Sequence, residues 1–346
     1  MLVPTVLLPS VITANPDESG IFYNSTIELF RKLEKKGVFL IEDRDRLNHD
    51  IGAMVKKWPP KYSKKIQTIL KKIDKTNRFV ELDIDDTINT NCPQQQCQSY
   101  IRITTQHLPE FVLARLNCYS CAKTQMADIF SVKVVNSDEY AIEDEFCAVM
   151  EKSDRVFAKG VKLKQFEQEI ILPMFRYAKH VKIYDRYVGR SIVQKNNAPK
   201  YKSMLQWLLK VFANNSRKGC FKVYCGLETE KLSKSKVDEA KIKLKELEEN
   251  LKIIYPKIEL SVKEETKEEQ FQHDRYIITD QLAISMGRGI CLVSEELSSP
   301  EDLLLDFNIA CCSEPGKIEA AVRNLPDCEK DPPQTGRFNF IQMPLC

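Results

Sequence analysis

The sequence predicts an α/β protein with two domains. Two observations carry that expectation. Short apolar runs alternate with helix-length amphipathic segments through the first 160 residues, the pattern of a parallel sheet wrapped by helices. A second series, of order β-α-β-α-β-β-β, runs from about residue 180 to 295. The length of 346 residues accommodates two such domains. With 43% apolar and 29% charged residues, the composition is that of an ordinary globular chain. We therefore expect an N-terminal parallel-sheet α/β domain over 1–160, a second α/β domain over 161–300, and C-terminal helices and tail over 301–346.

The first domain opens with MLVPTVLLPSVITANP, which holds no Lys or Arg and is interrupted by Pro4 and Pro9. It reads as a buried strand over 4–12 rather than as a secretory signal. No window is long and apolar enough to cross a bilayer, so a cytoplasmic protein without a transmembrane segment is expected. Phe22, Ile27, Phe30 and Leu33 recur at helical spacing, and Gly37 ends that helix. VFLIED (38–43) is a strand, a lysine-rich helix follows at 61–75 after Pro59-Pro60, and FVELDID (79–85) is a strand. YIRIT (100–104) reads as a strand, PEFVLARL (109–116) as a short helix, DIFSVKVV (128–135) as a strand, and 138–152 as an acidic helix.

Three features of this half bear on chemistry. Residues 56–78 carry nine cations, among them Lys64, Lys65, Lys71 and Lys72, against the single acid Asp74. Such a stripe suits nucleic acid or anionic lipid; the plainer reading is the solvated face of an amphipathic helix. Asp83 and Asp85 would share one face of a strand and, with Asp86, suggest Mg²⁺ binding of the PIN-nuclease kind. The first strand ends in LLPS rather than in an acid, which favours a solvated acidic loop. Finally, Cys92 and Cys97 form a CxxxxC, and Cys118 and Cys121 a CxxC. Four thiolates at that spacing suggest a structural zinc, although the first gap is long and neither pair has a glycine knuckle. The remaining cysteines, among them adjacent Cys311 and Cys312, read as small buried hydrophobes.

The second domain begins with the helical LKQFEQEIILPMFRYAK. HVKIYDRYVGR (180–190) alternates as a strand, 201–215 is a helix, and CFKVYCGL (220–227) is a strand. A charged helix over 236–254 is ended by Pro256, and IELSVKEE (258–265) is a strand. Then comes HDRYIITDQLAISMGRG (273–289), in which two apolar runs separated by Thr279-Asp280-Gln281 predict a hairpin. His273 and Arg275 would project together from one face of a strand. Guanidinium forks hold phosphate oxygens, and imidazole serves as base, acid or nucleophile near neutral pH. Gly287 and Gly289, flanking Arg288, would let backbone N–H groups approach an anion.

The spacing is HxRx4Dx6G, and it resembles the phospholipase D signature HxKx4Dx6GS, with Arg275 for the lysine and Arg288 for the serine. The resemblance covers residues 170–295. It implies a metal-independent phosphodiesterase, foremost a nuclease and in one form a prokaryotic defence effector, with no cofactor for catalysis. His273 would be nucleophile or acid/base and Arg275 the phosphate clamp. Asp185 or Asp280 would orient the imidazole, and Arg186, Gly287, Arg288 and Gly289 would complete an anion pocket. Family members generally build one site from two motifs. The second candidate, Lys179-His180-Val181-Lys182, has Tyr187 where the acid belongs, so a homodimer or a one-sided site follows. The segments HDR (273–275), GRG (287–289) and Asp185-Arg186 also resemble the MIT C-terminal domain, which implies binding of lipid headgroups or partner proteins without hydrolysis. A nuclease, a phosphate-binding module for nucleic acid or lipid, and a scaffold protein all remain open at this point.

Overall fold

Short, largely apolar strands of three to five residues build the sheet of the first unit. The computed structural model describes residues 2–15, 18–85, 87, 95–129, 131–151, 156–157, 163–193, 198–215, 219–229, 232–265, 275–286 and 309–312. The chain divides into two units, Leu2–Ser153 and Asp154–Lys330.

In the first unit, β1 (Val3–Leu7), β2 (Gly37–Ile41), β3 (Phe79–Glu81), β4 (Phe111–Ala114) and β5 (Lys133–Asn136) form an all-parallel sheet of order β3-β2-β1-β4-β5. The helices are α1 (Gly20–Lys36), α2 (Arg44–Lys56), α3 (Pro60–Lys75), α4 (Gln95–His107), α5 (Asn117–Gln125) and α6 (Asp144–Glu151). All of β2 and β4 is buried, as expected of parallel strands covered on both faces. Helix α3 buries Ile66, Ile69, Leu70 and Ile73, one stripe at i, i+3, i+4 and i+7. Pro60 starts that helix, where a missing N–H costs nothing.

Several expectations are corrected here. YIRIT is helical, part of α4, although its β-branched composition suits a strand. Cys97, Tyr100, Ile101 and Thr104 form a buried stripe at helical spacing, with Ser99 and Ile103 also buried. Conversely, the helical reading of 109–116 gives way to β4; a short run buried on both faces carries no periodicity to distinguish it. The first strand stops at Leu7, because Pro9 opens a 3-10 turn. The third stops at Glu81, leaving Asp83 and Asp85 beyond it. Helix α2 was not anticipated.

The second unit contains a seven-stranded mixed sheet of order β6-β12-β11-β10-β7-β8-β9. Its strands are β6 (Val156–Phe157), β7 (His180–Tyr184), β8 (Cys220–Glu228), β9 (Ile258–Glu265), β10 (Arg275–Thr279), β11 (Ala283–Met286) and β12 (Ile309–Cys312). β7, β8 and β9 are parallel, and every pairing from β7 outward to β6 is antiparallel. Helices α7 (Leu163–Phe166) and α8 (Leu172–Phe175) are joined by a π turn at Glu167–Ile171, just before Pro173, which has no N–H for the carbonyl four residues back. Next come α9 (Arg186–Val193), α10 (Ala198–Asn215) and α11 (Lys234–Ile254).

Alternation along β7 and β8 sorts the two faces of this sheet. Val181, Ile183, Phe221 and Val223 face the helices, where Phe175, Phe212 and Phe221 meet edge to face or tilted at 5.5–6.3 Å. The opposite face carries Tyr184, Tyr224, Tyr276, Ile278 and Ala283, with Tyr184 and Tyr224 stacked at 4.7 Å. The strand expected over 180–190 ends at Tyr184, and the expected C-terminal helices give way at Ile309–Cys312 to a strand between β11 and β6. The rest of 301–346 lies outside the described residues. Among the described residues, no helix is long and apolar enough to cross a membrane.

Candidate phosphate-binding site

The register of β10 on β7 pairs Tyr276 with Tyr184. One step further, Arg275 therefore faces Asp185, at the carboxyl end of the parallel strands. In open α/β sheets, ligands characteristically bind at this end. Asp185 has no accessible surface, and its Oδ1 accepts the N–H of Tyr187 at 2.9 Å. This is the geometry of a helix N-cap: it ends β7 and starts α9, which is why the expected strand turns there. Arg275 Nε lies 3.7 Å from the same Oδ1, and its guanidinium packs 4.4 Å from the centroid of the Tyr187 ring. Arg186, as buried as Arg275 at 6% exposure, is the first residue of α9 and lies 6.0 Å from that ring. Its cation sits where the helix dipole favours an anion.

Helix α9 is held close to the sheet by Gly189. A Cβ there would press into the Gly226 carbonyl oxygen of β8 and stand 3.0 Å from its carbon. Absence of a side chain is thus what lets α9 present Arg186 and Tyr187 beside Arg275.

Asp280 does not join this group. It lies in the β10–β11 turn, at the opposite end of β10, where its carboxylate accepts the N–H groups of Lys179 (3.2 and 3.4 Å) and His180 (3.5 Å). Burial pushes its pKa up to about 7 despite those donors. The turn is closed by Thr279, whose hydroxyl donates to Leu282 O and accepts the N–H groups of Gln281 and Leu282. Of the two carboxylates expected to orient an imidazole, only Asp185 shares the end with Arg275. His273, Gly287, Arg288 and Gly289 lie outside the described residues.

In the first unit, the order β3-β2-β1-β4-β5 reverses direction between β1 and β4, the usual place for a crevice. Here Arg115 fills that position. Its Nε donates to both oxygens of Asp138 (2.7 and 2.8 Å), and its Nη atoms donate to Glu18 (3.0 and 2.9 Å). The guanidinium lies 4.1 Å from the Phe22 ring. The hydrogen bond from Arg115 lowers the pKa of Glu18, and burial opposes the charge of Arg115 less than these partners favour it. Leu116, at φ 54° and ψ −135°, turns the chain sharply from β4 into α5. A strained elbow of this kind often exposes a nucleophile, but a leucine carries no reactive atom.

The other expected residues scatter over the first unit. Lys64, Lys65 and Lys72 are exposed on α3 and Lys71 is half-buried, with Lys72 paired to Glu34 at 3.1 Å. Asp83 and Asp85 are exposed. Asp85 caps the turn to Thr87, whose hydroxyl and N–H hold its pKa below the ordinary value. Asp86 and Cys92 lie outside the described residues. Cys97 is on α4, and Cys118 and Cys121 are on α5. The motif spacing did not reveal Tyr187, Gly189 or Arg115. Gly189, three residues into a helix, is the one that leaves a trace in the sequence, as a glycine where none is needed for a turn.

No protein-family model matches the chain, and no curated protein shows significant similarity to it.

Proposed function

We propose that the second unit recognises phosphodiesters at the Arg275 end of its sheet and cleaves them without a metal, with nucleic acid as the substrate. The observation that supports this reading is the position of Arg275, held between Asp185 and the Tyr187 ring beside Arg186 at the carboxyl end of β7. A guanidinium fixed in this way can grip two phosphate oxygens at little entropic cost. The spacing that resembles the phospholipase D signature makes His273 the nucleophile or acid/base.

A second reading, binding without cleavage, draws support from the burial of Arg275 against protein groups and from arginine in place of lysine, which flattens the clamp. One experiment separates the two. Labelled single- and double-stranded DNA and RNA are incubated in EDTA with the wild type, His273→Ala and Arg275→Lys. Cleavage lost in His273→Ala establishes the enzyme. Salt-sensitive binding without cleavage, weakened by Arg275→Lys, leaves the binding module. Neither cleavage nor binding removes both readings.

A further inference from the structure

We infer that two copies of this chain associate through the outer edge of β9, continuing the sheet of the second unit across a two-fold axis. β9 ends the strand order, and among the described residues no strand pairs with its outer edge. Proteins usually blunt such an edge with proline, a bulge or clustered charge. Here Ile258–Val262 carries a single charge, Glu259, which is paired with Lys222 of β8 at 3.0 Å. The register on β8 runs through these residues without a bulge.

The backbone groups on offer follow from that register. Phe221 N–H donates to Lys257 O, so residues 257, 259 and 261 turn their N–H and C=O groups to β8. Leu260 and Val262 turn theirs outward. An axis at Ser261 sets Leu260 of one copy opposite Val262 of the other in antiparallel register, where each pair exchanges two hydrogen bonds. The side chains of Leu260 and Val262 line a groove with Lys241, Leu244, Lys245 and Glu248 of α11. Val262 is 38% exposed and Leu260 half-buried, so the apolar floor of the groove is open at the edge. The same axis exchanges the ends of the α11 stretch and brings Lys241 of each copy towards Glu248 of the other. An apolar floor with both charges at its rim complements itself, as a two-fold interface requires. β7 and β8 stand between β9 and β10, so at about 4.8 Å per strand the two Arg275 strands stay roughly 30 Å apart. The association is thus independent of the phosphodiester reading.

The test is sedimentation equilibrium of the full chain at concentrations up to about 100 μM. A monomer–dimer equilibrium is expected, with its dissociation constant raised about tenfold by Val262→Lys. Ile253→Lys should leave it unchanged, since Ile253 is 82% exposed on another side of α11. Lys241→Glu should weaken association about fivefold, and Lys241→Glu/Glu248→Lys should restore it. Register is tested separately in Ser261→Cys, at an exposed position. Residues opposite each other without mutual hydrogen bonds have Cα atoms about 4.5 Å apart, within the reach of a disulfide. Mild oxidation should therefore link the two introduced thiols, identified by mass spectrometry. Glu259→Cys places them roughly 13 Å apart and should link at least tenfold less. A monomer at every concentration overturns the inference and leaves the edge to a strand of another protein. So does a dimer that Val262→Lys leaves intact, or one in which Ser261→Cys links no better than Glu259→Cys.

Discussion

Replacing Arg275 with alanine is expected to destabilise the second unit by about 3 kcal/mol. The magnitude follows from the geometry. At 3.7 Å and an effective dielectric of about 20, the attraction between Arg275 and Asp185 is ~4.5 kcal/mol, against which the cost of desolvating both groups must be set. Deleting one partner of a buried pair typically costs ~3–5 kcal/mol, because the other charge is left behind. Asp185, with no accessible surface, cannot recover water, though the Tyr187 N–H softens the loss. Contact of the guanidinium with the Tyr187 ring adds ~1 kcal/mol. The chain has two tryptophans, Trp58 in the first unit and Trp207 in the second, where its Nε1 donates to Glu167. Urea unfolding followed by fluorescence in a Trp58→Phe background therefore reports on the second unit alone. Asp185→Asn keeps an oxygen for the Tyr187 N–H and removes the charge, so it should recover about half of the loss when added to Arg275→Ala. If Arg275→Ala costs less than about 1 kcal/mol, or if Asp185→Asn brings no recovery, the pair is not what holds this end of the sheet together.

Two further outcomes are expected. Gly189→Ala should cost about 2–4 kcal/mol, because the new Cβ meets the Gly226 backbone rather than a movable side chain; unchanged urea unfolding would show that α9 has room to move. Asp280 has its pKa raised by burial from 3.8 to about 7, so the stability it contributes is present below pH 4 and lost as pH rises through 7. The whole shift corresponds to at most ~4 kcal/mol, and solvent at this half-buried turn trims it to about 2 kcal/mol. Asp280→Asn should flatten the stability profile between pH 4 and 8, and profiles that run parallel would count against the assignment.

The fold was legible wherever one face is apolar and the other wet. Helices α3 and α11 follow from spacing alone, because their buried positions recur at helical intervals, and the β10–β11 hairpin follows from two apolar runs parted by Thr279-Asp280-Gln281. It was illegible where burial is complete on both faces. The FVLA of β4 carries no period, and the Tyr100, Ile101 and Thr104 of α4 carry strand-like side chains at helical spacing. At the site, Asp185, Arg186 and Arg275 were all visible as charges in apolar surroundings. What sequence could not provide was their grouping. Tyr187 becomes a platform for Arg275 only because Asp185 caps a helix there and Gly189 lets that helix close on β8. Arg115, with two carboxylates and a ring around it, depends on residues 97 and 23 positions away in the chain, beyond the reach of any local pattern.

The length of β10 decides how the HxRx4D spacing should be understood. Five residues of strand at about 3.3 Å each put roughly 16 Å between Arg275 and Asp280. A carboxylate that far away cannot hydrogen-bond a ring beside Arg275, so the acid of the motif belongs to the architecture of the hairpin. It caps the start of β7 through the Lys179 and His180 N–H groups while Thr279 closes the turn. Both ends of β10 are thus tied to β7, one through Arg275 and Asp185 and the other through Asp280. The spacing reflects a strand clamped at its two ends, and the proposed phosphodiester site concerns the Arg275 end alone. Variants at the two ends should therefore separate. Asp280→Asn should change the pH dependence of stability and leave phosphodiester binding at pH 5 intact, whereas Arg275→Lys should weaken that binding at every pH. Equal loss of binding in both variants would mean that the turn and the Arg275 end act as one unit.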